Sequence, residues 1–253
     1  MKLIMNADDF GLTESVNNAI VDCFKAGIVQ STTVMMNQPG TQHAAELYRA
    51  GKVTNVGLHF TVTAGKPLLP TERVASLVDE NGDFLAKSVL LKKTDVCPKE
   101  VYNELQAQYD AALKAGFKLT HIDTHHFGGI YPALKQAFIQ FANTVQIPVR
   151  RVDSIVAGQD PLNVKTPDVF ELGFFDDGAT MEHLKAILSA YRSQIPSGSV
   201  ELMCHPANQV TEELCSLTGY TDKRLEELQI LTSSELKHWL EVEKIQCISF
   251  NDL

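Results

Sequence analysis

Positive charge is scarce in this chain. Lys and Arg total 22 against 31 Asp and Glu, a formal net charge of −9 over 253 residues. That balance argues against nucleic acid or an anionic membrane surface as partner and leaves small neutral molecules open. Cysteine is sparse and unpatterned: Cys23, Cys97, Cys204, Cys215 and Cys247 form no C-x-x-C pair. An odd, scattered count excludes a disulfide framework and a thiolate zinc site, so these read as reduced thiols. Long apolar runs are missing too. No stretch approaches a membrane span, and the opening MKLIMNADDF turns polar too soon for a secretion signal, so the expected location is the cytoplasm. No Pro- or Ser-rich linker divides the chain, so residues 1–253 are expected to form one domain. The composition, 44% hydrophobic and 21% charged, is that of a globular protein.

What is present has a rhythm. Lys25-Ala26-Gly27, Arg49-Ala50-Gly51 and Lys114-Ala115-Gly116 each place a cation in a last helical turn before a glycine suited to the left-handed cap. Apolar residues recur at helical spacing upstream of these glycines, and a β-branched or apolar segment follows each. Strands are predicted at 2–5, 32–36, 55–60, 119–124, 149–152, 169–174, 199–204 and 245–250, with later helices at 132–145, 181–192, 222–231 and 234–243. About eight strands alternating with helices call for a parallel sheet with helical crossovers. At this length a single TIM-like (β/α) barrel fits best, with a doubly wound open sheet as competitor. Residues 61–97 break the rhythm and are expected to form a hairpin-bearing insertion over the active-site face.

The polar residues then fall into place. Asp8 and Asp9 follow the first strand, His59 ends the third, His121, Asp123, His125 and His126 end the fourth in THIDTHH, and His205 follows the strand at 199–204. Strand C-terminal ends of a parallel barrel converge on one rim, so these side chains become neighbours. Two adjacent carboxylates are tolerable there if one binds a metal and the other works as a base. Asp9, His59 and His125 are the expected ligands of one divalent metal ion with open coordination positions, and Asp8 the base that deprotonates its water. His205, fixed by Pro206, suits either the acid that protonates a leaving amine or a third histidine ligand. Arg150 is placed to pair with Asp8 or to lie on the surface, and Asp123 to accept from a ligand histidine. His43, His183 and His238 lie on predicted helices and receive no role.

In combination, NADDFG, GLHF, THIDTHH and ELMCHP resemble the YdjC-like carbohydrate deacetylases, which include the chitooligosaccharide deacetylases, and the resemblance spans essentially the whole chain. It implies a distorted (β/α) barrel related to the polysaccharide deacetylases, a divalent metal usually given as magnesium, removal of acetyl from an N-acetylated sugar, and a homodimer. By motif, Asp8 matches the base, Asp9, His59 and His125 the ligands, and His205 the acid. This chain departs from the family pattern in having Thr124 for a serine and Phe127-Gly128-Gly129 where further histidines are common; the departure bears on the sugar subsite. Two imidazoles suit Zn²⁺, Mn²⁺ or Co²⁺ as well as Mg²⁺. The competing readings are a non-haem iron oxygenase built on the same triad, a glycoside hydrolase, and a sugar-binding protein with a structural metal.

Overall fold

The first strand, β1 (Lys2–Phe10), is buried from Leu3 onward, as expected of a central parallel strand covered on both faces. In the computed structural model, which describes residues 1–152 and 161–253, it is the spine of one curled parallel sheet forming a half-barrel. Its partners are β2 (Ser31–Val34), β3 (Val56–Phe60), β4 (Ile122–Thr124), β5 (Val169–Glu171), β6 (Ser199–Cys204) and β7 (Gln246–Cys247). The order is β4-β3-β2-β1-β6-β5. Because β6 runs along Lys2–Ala7, the opposite edge of β1 is shared, by β7 at Lys2–Leu3 and by β2 at Asn6–Phe10.

Helices link the strands: α1 (Glu14–Ala26), α2 (Thr41–Arg49), α3 (Lys87–Leu90), α4 (Pro98–Ala115), α5 (Lys135–Val145), α6 (Met181–Gln194), α7 (Glu212–Leu217), α8 (Asp222–Leu231) and α9 (Ser234–Val242). Thr13, Thr180, Thr211 and Ser233 cap α1, α6, α7 and α9 by accepting a backbone N–H three residues on. Gly27 and Gly116 close α1 and α4 at φ 86° and 99°, the left-handed caps the sequence calls for.

The expected strands at 119–124 and 169–174 keep three residues each, and two others shrink further. At 149–152 a single parallel bridge survives, Val149 to Ile122; Pro148 has no N–H with which to extend the ladder, although its carbonyl accepts from Ile122. The strand at 245–250 keeps two residues, because Ser249 and Asp252 form a capping box that turns the chain into a 3₁₀ turn at Phe250–Asp252. Residues 61–97 carry an antiparallel bridge, Val78 to Phe84, and the short helix α3. Buried Val74, Leu77, Phe84 and Leu90 join this segment to the main core, and Glu104 of α4 accepts from the Leu68 and Leu69 amides at 2.9 and 3.1 Å. Among the described residues no helix is long and apolar enough to cross a membrane.

Candidate active site

A regular strand sends successive side chains to opposite faces, yet Asp8 and Asp9 both line the same cleft. The local backbone explains this. The pairing of β1 with β2 slips between Ala7 and Phe10, and Asp9 sits at φ 66°, a left-handed conformation that costs a non-glycine residue of order 1–3 kcal/mol. The bulge turns both carboxylates inward.

Asp9 Oδ1 lies 3.4 Å from His59 Nε2 and 3.1 Å from His125 Nδ1, and the two ring nitrogens are 3.3 Å apart. Donor atoms about 2.0–2.1 Å from a shared ion stand roughly 2.9–3.4 Å from one another at octahedral or tetrahedral angles, so this triangle has the size of one face of a coordination shell. Asp9 Oδ1 is buried and accepts no well-formed hydrogen bond among the described residues. His59 presents Nε2 because its Nδ1 donates to Asp123 Oδ1 at 2.6 Å, and Thr33 Oγ1 donates to Asp123 Oδ2 at 3.0 Å. Burial opposes a charged His59, but the negative charge of Asp123 and the other carboxylates outweighs it and raises the imidazole to about 10. The site attracts positive charge, and a divalent cation could take the place of that proton. The residues therefore fit the metal.

A second triangle, Asp8, His59 and Asp123, already has its cation. Arg150 fills it, donating from Nη1 and Nη2 to Asp8 at 2.7 and 2.6 Å, approaching Asp123 Oδ2 at 3.0 Å, and donating from Nε to Glu201 Oε1 at 2.7 Å. Burial pushes the Asp8 carboxyl up, but the guanidinium outweighs it and holds Asp8 well below the usual carboxylate range. Glu201 keeps more of its burial penalty and rises to about 8.

His205 follows β6 and faces Asp8, with Nε2 3.9 Å from Oδ2. It belongs to neither cation triangle found among the described residues. Phe175 and Tyr220 flank its ring edge-on at 5.4 and 5.8 Å, and burial lowers its pKa to about 4, which makes it a neutral imidazole at pH 7. Glu227 accepts from the His205 amide and, at 2.6 Å, from the Tyr220 hydroxyl.

Of the remaining THIDTHH residues, His121 is buried away from the cleft, stacked on Phe250 at 3.7 Å, with Nε2 3.2 Å from Asn6 Oδ1. Gly57 makes room for it, since a Cβ there would lie 2.5 Å from the ring. His126 lines the cleft, bonded through Nδ1 to Thr63 Oγ1 at 3.0 Å. Phe127 puts an aromatic side chain on the same wall, and glycine is required at 129, where a Cβ would meet Thr124 Cγ2 at 2.5 Å. The cleft encloses about 280 Å³, close to the lower end of small-molecule sites. Its other walls are Leu172, Phe175, Met203 and Tyr220, with Lys87 of α3 at one side.

Sequence reasoning misses Arg224, Glu227, Tyr220 and Glu201. A lone glutamate inside the apolar run of β6 is a usable signal, because a buried Glu demands a partner. Arg224 and Glu227 offer none, lying in the charge-rich DKRLEELQIL.

A parallel half-barrel with two histidines and one carboxylate gathered at its strand ends defines an α/β protein with a candidate cation site. The match to the model of the YdjC-like proteins over residues 2–242 identifies the lineage, and the chain belongs to that family. It is 36% identical to a carbohydrate deacetylase of Listeria welshimeri over the full length of both chains. A crystal structure from Enterococcus faecalis V583, of a protein named for cellobiose-phosphate cleavage, superposes with a TM-score of 0.90 at 35% identity, covering 99% of this chain and 98% of that one. A peptidoglycan N-acetylglucosamine deacetylase shares the fold at a TM-score of 0.50 and 10% identity, over 99% of this chain and 86% of that one.

Proposed function

We propose that this protein is a metal-dependent hydrolase that removes the acetyl group from a small N-acetylated sugar. The observation that carries the reading is the triangle of Asp9 Oδ1, His59 Nε2 and His125 Nδ1, 3.1–3.4 Å on a side, open to a cleft that Asp8 and His205 also line. The names of the full-length relatives point the same way.

A divalent cation held by Asp9, His59 and His125 would supply Lewis acidity to an acetamide carbonyl and to water. Asp8, kept ionised by Arg150, accepts the proton of the attacking water. So weak a base does not retain it. His205, neutral beforehand, takes up a proton at Nε2, 3.9 Å from Asp8 Oδ2, and delivers it to the departing sugar amine. Phe175 and Tyr220 shield that imidazole from bulk water. The products are acetate and a free amino sugar.

The cellobiose-phosphate name borne by the Enterococcus protein raises glycosidic cleavage as a rival. That chemistry needs two carboxyl groups facing each other across the bond. Among the described residues lining the cleft the carboxylates are Asp8 and Asp9, which are adjacent, and each is bound to an arginine. The test is acetate release from a panel of N-acetylated mono- and disaccharides, with chelator and with single metals restored. Equal yields of acetate and free amine, lost on chelation, are expected. New reducing ends without acetate would overturn the reading in favour of chain cleavage.

A further inference from the structure

Helix α8 reaches the site at two points one turn apart. Arg224 is 2% exposed and spends its guanidinium on three separate pieces of chain. Nη2 donates to Asp9 Oδ2 at 2.7 Å, Nε to the Tyr220 carbonyl at 2.7 Å, and Nη1 to the carbonyl of His205 at 3.4 Å. Its own carbonyl accepts from the Ala207 amide at 3.2 Å. Three residues on, Glu227 holds the amide of His205.

A neutral donor would suffice to bind two carbonyls. A buried guanidinium is costly to desolvate and is retained where its charge and its fork are both matched. Here the matching group is one oxygen of Asp9. The two oxygens are thereby made unequal: Oδ2 is tied to Arg224, while Oδ1 faces His59 and His125 with no hydrogen bond of its own among the described residues. A carboxylate free to chelate through both oxygens would occupy a further coordination position, one that a catalytic ion needs for water or substrate.

We propose that Arg224 is a positioning residue of the cation site: it restrains Asp9 to binding through Oδ1 alone and, through the His205 carbonyl, sets the separation between the ligand carboxylate and the acid. The inference rests on the metal-dependent reading above.

Arg224→Met and Arg224→Lys test it through Co²⁺ binding, followed by calorimetry and by the visible absorption of the bound ion, with melting of the metal-free proteins recorded in parallel. Loss of a group that orients a ligand typically costs 10–100-fold in metal affinity. Arg224→Met is expected to bind Co²⁺ that much more weakly, with an altered absorption spectrum. Arg224→Lys keeps the charge but not the fork, so it should recover part of the affinity while the spectrum stays altered. Should the Met variant fail to fold, the Lys variant alone decides by the same readouts. Native affinity with a native cobalt spectrum, accompanied only by a lower melting temperature, would reduce Arg224 to a tether for Tyr220 and overturn the inference. A native protein that binds no Co²⁺ would instead overturn the metal-dependent reading, and this inference with it.

Discussion

Arg150→Met removes the cation on which three buried carboxylates depend. In the native chain Arg150 gives Asp8 two hydrogen bonds of 2.6 and 2.7 Å and Glu201 one of 2.7 Å, and it lies 3.0 Å from Asp123. All four side chains are at most 3% exposed. Removing one partner of a buried ion pair costs about 3–5 kcal/mol, because the charge left behind can no longer be solvated. A chain of this length loses roughly 2–4 °C of melting temperature per kcal/mol, so a fall of about 6–20 °C is expected by calorimetry at pH 8. The pH dependence is the sharper test. The folded Asp8 titrates well below its ordinary value of 3.8, so in the native protein this pairing contributes fully above about pH 4 and is lost only as pH falls through the depressed value. Without Arg150, burial is no longer opposed at Asp8 and Glu201, and the folded variant takes up protons as pH drops from 8 to 5.5. The gap to the native protein should therefore narrow over that interval. A melting temperature within about 2 °C of native, or a loss equal at both pH values, would refute the account of Arg150 as the charge hub.

Glu201→Gln tests the same hub from the other side. Between the ordinary value of 4.5 and the folded value of about 8 the native glutamate binds a proton on folding, so its contribution declines with rising pH, and the Gln variant should gain stability relative to native from pH 5 to 8. A divalent cation at 100 times its dissociation constant stabilises by about 2.7 kcal/mol, so the melting temperature should rise roughly 5–11 °C over the chelated protein, an increment that His59→Ala abolishes. Asp8→Asn and His205→Ala should each lower kcat about 10²- to 10⁴-fold and leave that increment intact; its loss in Asp8→Asn would place Asp8 among the ligands. Gly57→Ala drives a Cβ to 2.5 Å from the His121 ring and should cost about 1–3 kcal/mol in a denaturant melt, while an unchanged midpoint would contradict the packing.

Much of this site is legible in the sequence, for a physical reason: strand C-terminal ends of a parallel sheet converge, so a list of polar residues at predicted strand ends is also a list of neighbours. His59, Asp123, His125 and His205 are found that way, and Gly27 and Gly116 are found because a left-handed cap has almost one chemical solution. The signal fails where local pattern and tertiary need diverge. Val149 has the composition of a strand residue, but the proline before it brings no N–H to the ladder, and a single bridge remains. The bulge in β1 breaks the alternation that would have sent Asp8 and Asp9 to opposite faces. Arg224 and Glu227 are the harder case. In Asp222-Lys223-Arg224-Leu225-Glu226-Glu227 every charge looks like solvent-facing surface, and Lys223 and Glu226 do pair there at 2.8 Å. Nothing in the periodicity separates them from the two buried charges, whose partners are 215 and 22 residues away in the chain.

The two adjacent carboxylates state the design problem of the whole site. Side by side and buried, Asp8 and Asp9 would each raise the other's pKa, and one would take up a proton. The chain gives each its own guanidinium, Arg150 from the segment after α5 and Arg224 from α8, so both remain ionised. The two pairings differ in kind. Arg150 engages both oxygens of Asp8, which leaves that carboxylate held as a whole and directed at His205. Arg224 engages one oxygen of Asp9, which leaves the other bare beside two imidazoles. Two chemically identical side chains thus become different reagents through the number of hydrogen bonds each receives from its arginine. On this reading, exchanging the roles of Asp8 and Asp9 would require moving the arginines rather than the carboxylates.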